Sequence, residues 1–292
     1  MSPALSVVIA CVNGFPYIGE CLDSVYADCP DAEVTVADCT NRQTRERIWA
    51  QWPSVRVIAF DTPASVAELR ANGIAASSAP CVAVIEDHCV VERGWAAALL
   101  AGHAEGYSAV GGPIYNRTRR VRDWAAFLFE YSAYMRLPRG GPVTDLSGMN
   151  VSYDRQAIAA IGDLLSAGKW EWQLHGRLRE RGFALFGTPA AALGHIKDFG
   201  VREFMAQRFH YARAHAAMLN PDLGWKRIVY ALGSPALVPL LYARIARNVR
   251  RYGHAREFVL ATPLLALYLA ATALGEGLGY AFGGGRSLLR VK

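Results

Sequence analysis

With 292 residues, 19% of them charged and 52% hydrophobic, the chain can bury a sizeable core and is not a disordered polymer. Its net charge of +6 concentrates in Arg117–Arg122 and Arg244–Arg256. These clusters suit anionic lipid or a phosphorylated substrate, and with no helix-turn-helix, zinc-finger or RNP-like pattern no nucleic-acid partner is expected. The six cysteines fall at positions 11, 21, 29, 39, 81 and 89 and form no C-x-x-C pair, which argues against a zinc knuckle or dithiol site and for free thiols in a reducing cytosol. The first residues run straight into an apolar strand pattern, so no signal peptide is expected.

Residues 5–12 read as a buried strand ended by the loop Asn13-Gly-Phe-Pro16. Residues 17–29 carry Ile18, Cys21, Leu22 and Val25 at helical spacing. Glu33–Asp38 predicts a second strand ending on an acid, residues 42–51 a polar helix, and residues 55–60 a third strand. A helix over 64–78 with Leu69 and Ile74 on its face leads to a fourth strand, Val82–Ile85, which ends abruptly in Glu86, Asp87 and His88. Alternating strands and helices with short links predict a doubly wound α/β fold with a mostly parallel sheet. Charged groups at the carboxyl ends of its strands fall in the crevice where such sheets bind ligands.

Carboxylate and imidazole donors packed as tightly as Glu86-Asp-His88 suit a divalent cation, Mg²⁺ or Mn²⁺, and a cation there suits a phosphate ligand. The bland alternative is a charged surface loop. No G-x-G-x-x-G follows the first strand and no P-loop occurs, which disfavours dehydrogenases, P-loop kinases and nucleotidyltransferases.

The ordered motifs resemble family-two nucleotide-sugar glycosyltransferases of the GT-A fold. The opening Ser6–Gly14 and Tyr17–Val25, the strand Val34–Asp38, the helix Leu69-Arg-Ala-Asn-Gly, Glu86-Asp-His88 in the place of the D-x-D signature, and Gly94-Trp95 carry the likeness. The resemblance implies a nucleotide-sugar donor held by Asn13, Asp38 (at the base), Arg70, Glu86, Asp87 and Arg208. It makes Asp87 or His88 the direct metal ligand, leaving the two open, with His195 a possible further one. Asp145-Leu-Ser-Gly-Met-Asn resembles the segment at the reaction centre, placing Gly148 and Asn150 near the sugar.

Aligned on Leu174, Arg177 and Gly182, Glu171 takes the position of the family's catalytic acid, with Trp170 and Trp172 as sugar-stacking neighbours. Displacement at an anomeric carbon does need one carboxylate to accept the acceptor's proton. A helix N-terminal acid with no chemistry is the competing reading. Gln207-Arg208 lacks the R-W of processive polymerases, so a single addition is expected.

After residue 225 come two apolar segments, 228–243 and 258–274, separated by Arg244, Arg247, Arg250, Arg251 and Arg256. Neither reaches the ~20 apolar residues of a full span. The expected organisation is a catalytic domain over 1–225 and a helical, membrane-associated region over 226–292, on the cytoplasmic face with the arginines on headgroups. A lipid-linked or cell-envelope glycan acceptor would be met there. The expected activity is metal-dependent inverting glycosyl transfer with Glu171 as base. The alternative is a catalytically silent, membrane-bound nucleotide-sugar binder or scaffold.

Overall fold

The computed structural model describes residues 3–136, 139–198, 200–219 and 223–290. In chain order the elements are β1 (Leu5–Cys11), α1 (Tyr17–Asp28), β2 (Glu33–Asp38), α2 (Arg42–Gln51), β3 (Arg56–Ala59), α3 (Val66–Ala76), β4 (Cys81–Glu86), β5 (Cys89–Val91) and α4 (Trp95–Ala104). Then follow β6 (Ala109–Gly111), β7 (Ile114–Asn116), α5 (Val121–Tyr131), β8 (Gly141–Val143), β9 (Val151–Asp154), α6 (Arg155–Ala160), α7 (Gly162–Ser166) and α8 (Glu171–Glu180). The chain closes with β10 (Leu185–Gly187), β11 (Leu193–His195), α9 (Val201–Leu219), α10 (Lys226–Gly233), α11 (Leu237–Tyr252) and α12 (Ala255–Phe282).

Backbone contacts divide the molecule into one unit of residues 1–117 and 134–197 and another of 118–133 and 198–292. The first unit holds an eight-stranded sheet in the order β3-β2-β1-β4-β9-β6-β10-β8 and a small sheet β5-β11-β7. β3, β2, β1 and β4 are mutually parallel. β9 inserts antiparallel between β4 and β6, so the sheet is mixed and mostly parallel.

The apolar runs of β1 and β4 are buried throughout, as strands covered on both faces must be. α2 begins where the Asn41 side chain accepts the Thr44 N–H, and α3 begins with a capping box between Ser65 and Glu68. On one face Val8, Val82, Val84, Val151 and Tyr153 pack under Leu165, Leu174 and Leu178; each large side chain fully removed from water contributes about 1.5–3 kcal/mol. This packing fixes the N-terminus of α8 against the strand ends. Successive strands wind away from β1 in one direction through β2 and β3, and in the other through β4. The crevice at the carboxyl ends of β1 and β4 is therefore the switch point of the sheet.

The second unit is helical. α12 runs alongside α9, with Tyr268 edge-on to Phe204 at 4.6 Å between ring centroids. Residues 226–252 and 255–282 are each long and apolar enough to cross a membrane by length and composition.

Candidate active site

Two strands ending side by side bring residues 12–14 and 86–88 together. The Asp87 carboxylate is wholly buried, and one oxygen accepts the backbone N–H groups of Val12 at 3.1 Å, Asn13 at 2.6 Å and Gly14 at 2.9 Å. Its other oxygen accepts the Asn13 side-chain amide at 2.7 Å and lies 3.2 Å from His88 Nδ1. Burial opposes its ionisation, yet the His88 and Asn13 hydrogen bonds outweigh this and hold Asp87 below the usual carboxylate range. Three successive N–H groups make an anion-binding concavity, and here the anion is the chain's own carboxylate. Asp87 and Asn13, expected at the donor and the metal, meet in this structure as a clamp on the loop after β1.

The clamp also orients His88. With Nδ1 turned to Asp87, Nε2 points toward Glu86 Oε2 at 3.5 Å, the carboxylate–imidazole arrangement that prepares a histidine for a metal. His195, at the end of β11, meets His88 edge-on at 4.8 Å between ring centroids. Its pKa is depressed, first by burial and then by the charges of His88 and Lys197, so its ring is neutral. Among the described residues no three His, Cys, Asp or Glu side chains form a ready-made metal cluster. Glu86 and His88 are the pair here that could share a cation, provided that its remaining ligands came from elsewhere, as phosphate oxygens supply them to magnesium at nucleotide sites.

Arg70, from the buried face of α3, joins Glu86 to Glu171, which lies 101 positions after Arg70 in the chain: its Nη2 donates to Glu86 Oε1 and its Nη1 to Glu171 Oε1. The side chains of Arg70, Glu86 and Glu171 are 9%, 16% and 21% exposed. Burial would lower the Arg70 pKa, but the charges of Glu171 and then Glu86 reverse this and raise it above the ordinary arginine value. Arg70, expected at the donor, is held here by two carboxylates.

Glu171 is the first residue of α8, where a carboxylate is favoured by the helix dipole. Gly148 is what lets it sit there: a Cβ at Gly148 would overlap the Glu171 carboxyl group. Arg70, Glu171, Lys169 and Tyr153 line one small cleft. Trp172 is exposed and Trp170, at the N-cap of α8, half-buried.

Other expected ligand contacts turn inward. Asn150 is fully buried, accepting Trp95 Nε1–H at 2.9 Å and donating to the carbonyls of Ala191 at 2.9 Å and Pro113 at 3.3 Å. It ties three segments together and has no face for a sugar. Asp38, expected at the nucleotide base, is likewise enclosed, bound to Arg45 Nε at 2.8 Å and to Thr40 Oγ1 at 2.7 Å. Arg208 belongs to the helical unit, where it pairs with Glu130 at 2.7 Å among Phe129, Phe204 and Tyr211.

The sequence reading passed over two features. Arg45 bridges Asp38 to Asp61 at 2.8 Å, and the one sign of it is a basic residue beside Thr44 and Ile48 on the buried face of a polar helix. Asp145, His175 and Tyr153 form a hydrogen-bonded row, with His175 Nδ1 2.5 Å from Asp145 and Nε2 2.9 Å from the Tyr153 hydroxyl. Burial foremost, and then the Glu171 charge, raise the Tyr153 pKa well above its usual value.

Residues 6–162, more than half of the chain, match the pattern of glycosyl transferase family 2. The chain belongs to that family. Among solved structures this glycosyltransferase is similar to the mannosyltransferase PcManGT from Pyrobaculum calidifontis in complex with GDP-Man and Mn²⁺, with 16% identity and a TM-score of 0.58 over 94% of this chain and 87% of that one. It is also similar to GalNAc-T7 with UDP, GalNAc and Mn²⁺, at 15% identity and a TM-score of 0.55. That match covers 68% of this chain and 44% of the other, so this chain spans under half of GalNAc-T7. Identities this low establish the GT-A fold and not a shared substrate. No curated protein matches the chain.

Proposed function

We propose that this family 2 glycosyltransferase is an inverting enzyme that moves a sugar from a nucleoside-diphosphate sugar to a hydroxyl or phosphate acceptor on a lipid-linked or cell-envelope glycan, with Glu171 as general base. The observation that carries the reading is the Glu86–Arg70–Glu171 bridge. One guanidinium holds the carboxylate at the sheet's switch point close to a carboxylate at a helix N-terminus, which supports a donor side and an acceptor side meeting at this cleft. Glu171 would take the proton from the acceptor hydroxyl as its oxygen bonds to the anomeric carbon and the nucleoside diphosphate leaves with the electron pair of the broken bond. Glu86 and His88 are the residues that would hold a divalent cation, Mg²⁺ or Mn²⁺. Such an ion supplies charge neutralisation for the departing diphosphate, a service the loop after β1 cannot give because its N–H groups are committed to Asp87. Both similar structures were obtained with nucleotide or nucleotide sugar and Mn²⁺, which supports the donor class and the ion.

Trp172 and Trp170 stand beside Glu171 in sequence as aromatic surface for the acceptor sugar. Residues 226–292 attach the enzyme to the cytoplasmic face of the membrane, where a lipid-linked acceptor is met. The test is a panel of nucleotide sugars incubated with the full chain and envelope lipid extract, with Mn²⁺, with Mg²⁺ and with chelator. Release of nucleoside diphosphate from one donor, abolished by chelation, is expected. A donor that raises the melting temperature but is never turned over would instead make the chain a silent nucleotide-sugar binder.

A further inference from the structure

Residues 226–252 carry Lys226, Arg227, Arg244, Arg247, Arg250 and Arg251 and no acidic residue. On α10, Ile228, Val229 and Leu232 follow Trp225 at the spacing of one helical face, and all four are exposed, Trp225 at 73% and Leu232 at 78%. No residue of α10 is buried. In α11 the inward positions are Ile245 and Val249, whereas the outward row starts at Leu240 and continues as Arg244, Arg247 and Arg251. An apolar face left open next to a row of unopposed arginines is the composition of a helix that lies in a membrane interface.

α12 passes the length and composition test for a membrane span, but its packing tells against that role. It lies against α9 so closely that Gly275 abuts the Phe209 backbone and Gly279 the Arg213 carbonyl. Arg213 Nε donates to the Gly283 carbonyl at 2.9 Å, and Arg208 of α9 is held by Glu130. An upright α12 would draw α9, with its Arg202, Glu203, Arg208 and Arg213, into hydrocarbon, where such side chains are costly.

We infer that α10 and α11 lie flat on an anionic bilayer, the apolar face of α10 in the acyl boundary and the α11 arginines on phosphate headgroups, and that α12 is the spine of the helical unit and does not cross. This rests on the membrane attachment proposed above and specifies its mode. The test is flotation of the full chain with vesicles of phosphatidylcholine alone and with phosphatidylglycerol added, together with extraction of native membranes by alkaline carbonate.

The expected results are binding to the anionic vesicles that high salt weakens, and release by carbonate. Reversing three arginines (R244E/R247E/R251E) should weaken anionic binding by more than about a hundredfold. The pair I228E/L232E, both at exposed positions, should abolish binding to either vesicle. Resistance to carbonate would overturn the flat placement in favour of a span. So would equal binding to neutral vesicles, unchanged by the arginine variant, or a soluble dimer that ignores vesicles and falls apart on I228E/L232E. Turnover of a water-soluble acceptor, measured on the same variants, separates the failures: binding lost with turnover kept leaves the glycosyltransferase reading standing.

Discussion

Two arginines in the sheet-containing unit each bridge two carboxylates at the carboxyl edge of the sheet, and their surroundings differ in a way that locates the chemistry. At the end of β2, Arg45 joins the fully buried Asp38 to Asp61, whose side chain is 86% exposed. One partner is sealed by the fold and the other is in open water, so the bridge closes that end of the crevice and offers a ligand little. Near the end of β4, Arg70 joins Glu86 and Glu171, both enclosed on most sides and both still partly open. Groups that are desolvated but reachable are the ones able to exchange a partner for a substrate. The same pairing motif is thus a brace in one place and a candidate reaction centre in the other.

The comparison breaks most visibly at Arg70. Arg70→Met leaves two carboxylates facing each other in a mostly buried cleft. It should cost about 3–5 kcal/mol in denaturant-measured stability and remove glycosyl transfer as well. Arg45→Met should lose about 2 kcal/mol through the stranded Asp38 while the surviving folded protein keeps its kcat. Equal effects of the two variants on kcat would erase the distinction.

A second contrast lies within the Glu86-Asp-His88 stretch. Asp87→Asn should destabilise the fold by about 1.5–3 kcal/mol, the cost of charge-assisted bonds to the Val12–Gly14 loop. His88→Ala should cost about 1–3 kcal/mol through its lost contact with the buried Asp87, and should in addition raise the Mn²⁺ concentration for half-maximal turnover by at least about tenfold, which Asp87→Asn should not. A metal requirement that follows Asp87 and not His88 would reverse the assignment. At the small end, Asp61→Asn should alter stability by less than about 0.5 kcal/mol, as for other solvated ion pairs; a loss of donor affinity there would show that the β2 end is no mere brace.

The sequence carried the parallel half of the sheet well. β1, β2 and β4 are short segments rich in Val, Ile and Ala, and the helices between them show their buried faces at Ile18, Leu22, Leu69 and Ile74. The antiparallel β9 between β4 and β6 was not legible, because a strand buried on both faces has the same composition whichever way it runs. At the site, the sequence pointed to Glu86, His88 and Glu171, and the structure brings Glu86 beside His88 and, through Arg70, to Glu171. The inward commitment of Asp38, Asp87 and Asn150 was not. An acid at a strand end reads alike whether it awaits a ligand or answers backbone N–H groups nearby, and only the fold shows that residues 12–14 turn theirs toward Asp87. Glycines were more telling than acids: Gly148 lies in the turn before β9, closed by Asn150 N–H on the Ser147 carbonyl, and a side chain there would also meet the Glu171 carboxyl group.

The most direct measurement is the steady-state kinetics of Glu171→Gln on whichever nucleotide sugar the full chain turns over, with donor affinity measured in parallel. The substitution keeps the shape and a hydrogen-bonding partner for Arg70 and removes the base. A fall in kcat of roughly 10²–10⁴-fold with donor affinity held within a few-fold is the predicted result. Glycosyl transfer continuing at the wild-type rate would contradict the assignment of Glu171 and, with it, the reading of the Glu86–Arg70–Glu171 bridge as the reaction centre.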